Sequence, residues 1–146
     1  EQQMLGKKVV CYASHSNVKA LCNRSRNLSD DQLYALKKVG GLVGIMSLKN
    51  FVTLNKEATD DQLKELYLDQ ISYVKKIWND TSHIVLSTDD MNFLSEVDKE
   101  YGKGNLFHYA SITNELKELL KKRFTDEEID QMLFLNAKEQ IYDKLI

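Results

Sequence analysis

The chain has 146 residues, of which 42% are hydrophobic and 29% are charged, and its formal net charge is −2. This length is enough for one buried core, so we expect residues 1–146 to form a single domain. The charge balance argues against nucleic acid as a partner. No apolar run is long enough to span a membrane and no signal-peptide pattern is present, so the expected location is cytoplasmic.

Short apolar, β-branched runs predict buried strands, and apolar residues at helical spacing predict amphipathic helices. In chain order, the predicted elements are strand 8–13, helix 30–39, strand 42–48, helix 60–79, strand 83–88, and helices 112–123, 126–135 and 137–145. Capping boxes predict that three helices begin after Ser29, Thr59 and Thr125, and Asn136 is expected to cap the last one.

Strands and helices alternate along the first 90 residues, which predicts parallel strands joined by right-handed helical crossovers. The expected fold class is α/β, with about three parallel strands, flanking helices and a helical C-terminus. A complete (β/α)8 barrel needs about 250 residues, so the chain is too short for one. Two cysteines do not make a disulfide framework; we expect Cys11 to be buried in the first strand and Cys22 to lie in the following loop.

Three polar residues follow predicted strands and are candidates for a site: His15, Arg26 and Asp89. Because the carboxyl ends of parallel strands share one edge of a sheet, these side chains are expected to converge. Histidine is a zinc ligand, arginine binds carboxylates in a bidentate manner, and aspartate can transfer a proton. From residue types alone, a structural interpretation is the more common one, with a hydrogen-bonded His15 and an ion pair between Arg26 and Asp89.

Residues 14–33, SHSNVKALCNRSRNLSDDQL, resemble the segment S-H-S-x-x-[RK]-A-L-C-x-x-x-R-N-[LV]-[ST]-D of the membrane (renal) dipeptidase family, peptidase family M19. Residues 111–137, SITNELKELLKKRFTDEEIDQMLFLNA, resemble the C-terminal stretch of the same family. The resemblance covers nearly the whole chain, but only the C-terminal half of a family member. It implies the C-terminal half of a (β/α)8 TIM barrel and a metallopeptidase hydrolase that cleaves dipeptides with two zinc ions.

The resemblance also implies a role for each candidate residue. His15 falls on a zinc ligand, Arg26 on the residue that binds the substrate carboxylate, and Asp89 on the residue proposed to help in proton transfer. The family's N-terminal His-x-Asp pair, its metal-bridging glutamate and a further ligand histidine have no counterpart in this chain. His83 precedes its strand, and His108 has no acidic partner at ligand spacing.

Two motifs depart from the family pattern, and one of them is the Gly-Gly before Asn136, which is Phe134-Leu135 in this chain. Residues 87–91 are Ser-Thr-Asp-Asp-Met where the family shows Gly-Ser-Asp-Phe-Asp, so the second aspartate position of that motif is Met91. The chain also begins with Glu rather than Met, and we expect it to be a piece of a longer protein.

The expected function is that of the C-terminal part of a zinc-dependent dipeptidase, inactive as this chain alone, with a dipeptide as substrate of the full-length protein. The alternative is a non-catalytic barrel half that serves as an association or structural module. A phosphate-binding α/β domain is disfavoured because no Gly-rich loop joins a strand to a helix. Half a barrel has open edges and an exposed interior face, which we assign to Val43, Ile45 and Val85, so we expect a homo-oligomer or pairing with the N-terminal half.

Overall fold

The computed structural model describes residues 10–88, 106–107 and 112–143. Three strands, β1 (Tyr12–Ala13), β2 (Leu42–Met46) and β3 (Ile84–Ser87), form one sheet in the order β1-β2-β3. Both neighbouring pairs are parallel. The α/β class with three parallel strands is therefore confirmed.

The helices are α1 (Asp30–Lys38), α2 (Lys49–Val52), α3 (Asp60–Trp78), α4 (Ile112–Leu120) and α5 (Asp126–Asp130). Three of them begin at the predicted capping boxes, in which the cap side chain and the third helical residue satisfy each other's backbone N–H groups. Helix α2 lies where the sequence predicts a loop. None of the helices within the described ranges is both long enough and apolar enough to cross a membrane.

The C-terminal helix does not break at Asn136. Two π-helical turns, Gln131–Leu135 and Lys138–Tyr142, follow α5, and Asn136 between them has helical angles of φ −61° and ψ −43°. Its buried Nδ2 donates to the carbonyls of Thr81 (2.6 Å) and Ile84 (2.7 Å), at the start of β3. The predicted cap at Asn136 is therefore wrong, because the amide binds the sheet instead of its own helix.

The core lies between the sheet and the helices. Val43 pairs with Ile84 in the sheet, and both belong to one hydrophobic cluster with Ile45 and with residues of α3. The buried α3 members of this cluster are Tyr67, Leu68, Ile71, Val74 and Trp78. Because side chains alternate along a strand, Val43 and Ile45 face the helices and not a barrel interior. Their expected exposure is wrong, and Val85 on the other face is only 5% exposed.

Of the two cysteines, Cys11 differs from its prediction, whereas Cys22 lies in the loop after β1 as predicted. Cys11 is exposed, because β1 begins only at the next residue, whereas Cys22 is 2% exposed. Burial raises the pKa of the Cys22 thiol, and the charge of Arg24 and a hydrogen bond with that side chain only partly oppose the shift. Cys22 is therefore held in its neutral form.

The C-terminal end of α3 is tied to α1. Lys37 of α1 donates to the carbonyl of Trp78 and to the carboxylate of Asp80. Burial raises the pKa of Asp80, but hydrogen bonds from Lys37 and Ser82 outweigh it, so the net pKa lies below the ordinary value. Trp78 is 3% exposed and donates its indole N–H to the carbonyl of Leu33 (3.2 Å), so it belongs to the packing between α3 and α1.

Candidate functional site

The carboxyl ends of the three strands form one edge of the sheet. His15 follows β1 by two residues, Ser47 comes directly after β2, and Thr88 comes directly after β3. The hydroxyl of Ser47 donates to the carbonyl of Thr88 (3.3 Å), which joins the ends of β2 and β3. Asp89, the predicted proton-transfer residue, lies outside the described residues, so its convergence with His15 stays a prediction.

His15 is half-buried at this edge, and the main chain of its two neighbours is hydrogen-bonded to the other strands. Its Nδ1 lies 2.9 Å from the hydroxyl of Ser14, and the direction of that hydrogen bond depends on the ring tautomer. The carbonyl of Ser14 accepts a hydrogen bond from the hydroxyl of Ser87 in β3. The N–H of Ser16 donates to the carbonyl of Gly44 in β2 (3.0 Å). The residues on each side of His15 are therefore fixed by β2 and β3.

Gly44 makes this arrangement possible because it has no side chain. A Cβ at this position would lie 2.1 Å from the carbonyl oxygen of Ser14 and 2.3 Å from the hydroxyl oxygen of Ser87. Neither distance is compatible with a carbon atom at that point. The end of β1 can therefore approach β2 only across a glycine, and the Ser87 hydroxyl uses the space that this glycine leaves.

Two buried asparagines hold the loop that follows His15. The side-chain amide of Asn17 donates to the carbonyl of Met46 (3.0 Å) and accepts from its N–H (2.7 Å), as a neighbouring strand would. The N–H of Asn17 donates to the Oδ1 of Asn27 (3.2 Å). Both asparagines are at most 1% exposed. The two ends of this loop are thus bound to each other, and Asn17 also binds the last residue of β2.

The same loop also closes the C-terminal end of α2. The last carbonyls of a helix have no partner within it, and here three side chains from other elements donate to them. They are Arg24 Nε to Asn50 O (3.0 Å), Asn27 Nδ2 to Phe51 O (3.0 Å) and Gln70 Nε2 to Val52 O (3.4 Å). Loop 22–28 and α2 therefore form one hydrogen-bonded unit that lies next to the strand edge.

Arg26 is one of two exposed arginines in this unit, the other being Arg24. The Arg26 guanidinium carbon lies 5.2 Å from the centroid of the Phe51 ring, a cation–π arrangement. Among the residues that the structure describes, Arg26 takes part in no ion pair. The neighbouring Arg24 differs, because its Nε is bound to the carbonyl of Asn50. Arg26 is therefore the better placed of the two to bind an anionic ligand.

The described residues do not by themselves fit a catalytic zinc ion. No group of three or more histidine, cysteine, aspartate or glutamate side chains that could hold a metal lies within the described ranges. Catalytic zinc ordinarily has three protein ligands, of which His15 is one candidate. His83 lies at the amino end of β3, and the centroid of its ring lies 6.3 Å from that of the Trp78 ring. His108 lies outside the described residues.

Four residues that shape this region are not among the site residues predicted from the sequence. The glycine within an apolar strand, Gly44, does carry a signal, because an interior glycine often marks a close approach of another backbone. Asn17, Asn27 and Phe51 carry none, since their partners lie up to 29 residues away in the chain. Their contribution is visible only once the loop and α2 are brought together.

A sequence profile of the membrane dipeptidase family (peptidase family M19) matches residues 8–139. Two curated relatives are each 34% identical. They are an uncharacterized protein in the pqqA 5′ region of Klebsiella pneumoniae, aligned over 77 residues, and one in the PQQ-III 3′ region of Acinetobacter calcoaceticus, aligned over 62 residues. These alignments span 53% and 42% of this chain, but only 28% and 20% of the relatives.

Solved structures show the same fold. An amidohydrolase from Pseudomonas aeruginosa has a TM-score of 0.65 at 22% identity, over 94% of this chain and 46% of that one. A metallo peptidase from Rhodobacter sphaeroides, liganded with a phosphinate mimic of the dipeptide L-Ala-D-Ala, has a TM-score of 0.67 at 15% identity, over 91% of this chain and 36% of that one. The probable dipeptidase PvdM from P. aeruginosa has a TM-score of 0.64 at 16% identity, over 88% of this chain and 43% of that one. The chain thus spans less than half of each of these proteins.

Proposed function

The chain belongs to the membrane dipeptidase family, and from this we propose that it is the C-terminal part of a zinc-dependent dipeptidase with a (β/α)8 barrel. The observation that carries the proposal is Arg26, which is exposed on the Phe51 ring and whose neighbour Asn27 is hydrogen-bonded to Asn17, two residues after His15. A dipeptide ends in a free carboxylate, and a guanidinium matches that group in charge and shape. We assign Arg26 to the substrate carboxylate.

The remaining roles follow the same proposal. His15 is one ligand of the metal centre, and zinc is the metal we propose for this member of a metallopeptidase family. The other ligands must come from residues outside the described ranges, because a catalytic zinc site needs about three protein ligands. Asp89 is proposed to transfer the proton during hydrolysis.

We propose that the 146-residue chain alone does not hydrolyse dipeptides. The test is to purify the chain, load it with zinc, and measure both the bound metal and the cleavage of a simple dipeptide. We expect less than one tightly bound zinc per chain and no cleavage above that of a buffer control. Zinc-dependent cleavage by the chain, with no contaminating peptidase, would overturn this proposal.

The second candidate function is a non-catalytic barrel half that serves as an association module. It is compatible with the ligand set of the described residues, among which no three-ligand metal group lies. The two candidates separate in the complete protein, because only a dipeptidase binds metal stoichiometrically and cleaves dipeptides. A homo-oligomer, pairing with the N-terminal half and a cytoplasmic location all stay predictions.

The role of Arg26 is tested by Arg26→Ala in the complete protein, with Arg24→Ala as the matched control in the same loop. Loss of a charge-assisted carboxylate contact costs on the order of 2–5 kcal/mol, so dipeptide binding should weaken at least about 30-fold. Arg24→Ala should instead lower the melting temperature, because its side chain holds α2. If Arg26→Ala lowers the melting temperature while its kinetics stay normal, Arg26 is structural and the assignment is wrong.

A further inference from the structure

The Phe51 ring sets the place of the Arg26 guanidinium. The guanidinium carbon lies 5.2 Å from the ring centroid, and Phe51 is half-buried while Arg26 is exposed. An arginine on an aromatic face keeps its planar set of donors and loses part of its rotational freedom before any ligand arrives. A flexible exposed arginine would have to lose that freedom on binding, which weakens affinity.

The buried side-chain amide of Asn27 links the main chain of Phe51 to the residue that follows Arg26. Asn27 is the residue next to Arg26 in the chain, and its Nδ2 donates to the carbonyl of Phe51 (3.0 Å) and to that of Cys22 (2.8 Å). Asn27 is 1% exposed, so these hydrogen bonds are shielded from water. The Arg26 side chain therefore contacts the Phe51 ring, while the side chain of the next residue, Asn27, binds the Phe51 main chain.

We propose that Phe51 and Asn27 are positioning residues for carboxylate recognition, which sharpen the preference of Arg26 for substrates with a free C-terminal carboxylate. This inference rests on the proposed function, in which Arg26 binds that carboxylate. Phe51 touches the arginine and acts on the substrate only through it. Its removal should therefore affect the substrate's carboxylate and leave the rest of the reaction unchanged.

The experiment compares two substrates in the complete protein: a dipeptide, and the same dipeptide with its C-terminal carboxyl converted to an amide. For each, kcat and KM are measured in the wild type, Phe51→Leu, Phe51→Tyr and Arg26→Ala. A cation–π contact at an exposed site corresponds to about a 2- to 5-fold change in affinity. We expect Phe51→Leu to raise KM for the dipeptide by that factor, with kcat and the amide's KM unchanged. Phe51→Tyr keeps the aromatic face and should behave as the wild type.

A matched control separates recognition from stability. Lys75 lies 5.4 Å from the ring centroid of Phe124, so Phe124→Leu removes the same kind of contact elsewhere in the molecule. Phe124 is 7% exposed, so this variant should lower the melting temperature at least as much as Phe51→Leu. It should leave the ratio of the two substrates' KM values unchanged. If Phe51→Leu loses its melting transition, Phe51→Met, which retains an apolar side chain of similar length, takes its place.

The outcomes distinguish this inference from the proposed function. If Arg26→Ala abolishes the preference for the free carboxylate and Phe51→Leu leaves it intact, the inference fails and the proposed function stands. If Arg26→Ala also leaves the preference intact, the role of Arg26 and the inference fail together. A preference lowered by Phe51→Leu, retained by Phe51→Tyr and unaffected by Phe124→Leu supports the inference.

Discussion

Gly44→Ala tests whether the backbone around His15 is held by the close approach of β1 to β2. The new Cβ would lie 2.1 Å from the Ser14 carbonyl oxygen and 2.3 Å from the Ser87 hydroxyl oxygen. Both contacts are about 1 Å too short, so the end of β1 has to move. Forcing a methyl group into a packed site costs about 1–3 kcal/mol, and the hydrogen bond between Ser87 and Ser14 contributes about 1 kcal/mol more.

The free energy of unfolding should therefore fall by about 2–4 kcal/mol in denaturant titrations. Gly40→Ala is the control: Gly40 has φ +66° and no atom within 4 Å of a Cβ, so only backbone strain of about 1–2 kcal/mol applies. Hydrogen exchange locates the effect, because the Ser16 N–H donates to the Gly44 carbonyl. Its protection should drop in Gly44→Ala and persist in Gly40→Ala.

Adding Ser87→Ala to Gly44→Ala should recover only part of the loss. The substitution removes the oxygen at 2.3 Å, but the main-chain oxygen of Ser14 at 2.1 Å remains. The coupling between two contacting positions is typically about 0.5–3 kcal/mol. Equal stability of Gly44→Ala and Gly40→Ala, with unchanged exchange at Ser16, would refute the close approach as the cause.

Four further outcomes are expected. Asn136→Leu keeps the volume but removes the donor to two carbonyls at the start of β3, and should lower stability by about 1–3 kcal/mol in denaturant titrations. The lowered pKa of Asp80 stabilises the fold above the ordinary carboxyl pKa of about 3.9, and this contribution is lost as the pH falls through the folded-state value, so acid unfolding of Asp80→Asn should depend less on pH. Iodoacetamide should label the exposed Cys11 much faster than Cys22, as peptide mass spectrometry would show; equal rates would contradict the burial of Cys22. Light scattering of the pure chain at micromolar concentration should give a mass above 17 kDa, because β1 and β3 have unpaired outer edges within the described sheet; a sharply melting monomer would contradict this.

Local signals were read correctly from the sequence because their causes are local. Each capping box joins residues three positions apart, so Ser29, Thr59 and Thr125 mark the helix starts without knowledge of the fold. The alternation of strands and helices likewise predicts a parallel sheet. Helix α2 was missed because its C-terminal carbonyls depend on side chains from a loop and a helix elsewhere in the chain.

The apolar character of a strand residue does not indicate which face of the sheet its side chain lies on. In β2 all five residues are buried, so no alternation of polar and apolar residues shows which of them contact the helices. The burial of Val85 has the same consequence, since residues on both faces of β2 and β3 are shielded from water. We therefore expect a partner to bind at the outer edges of β1 and β3, where backbone groups lack a strand neighbour among the described residues, and not on the apolar residues of β2. If oligomers form, substitutions at those edges should dissociate them, whereas substitutions of Val85 should lower the stability of each subunit.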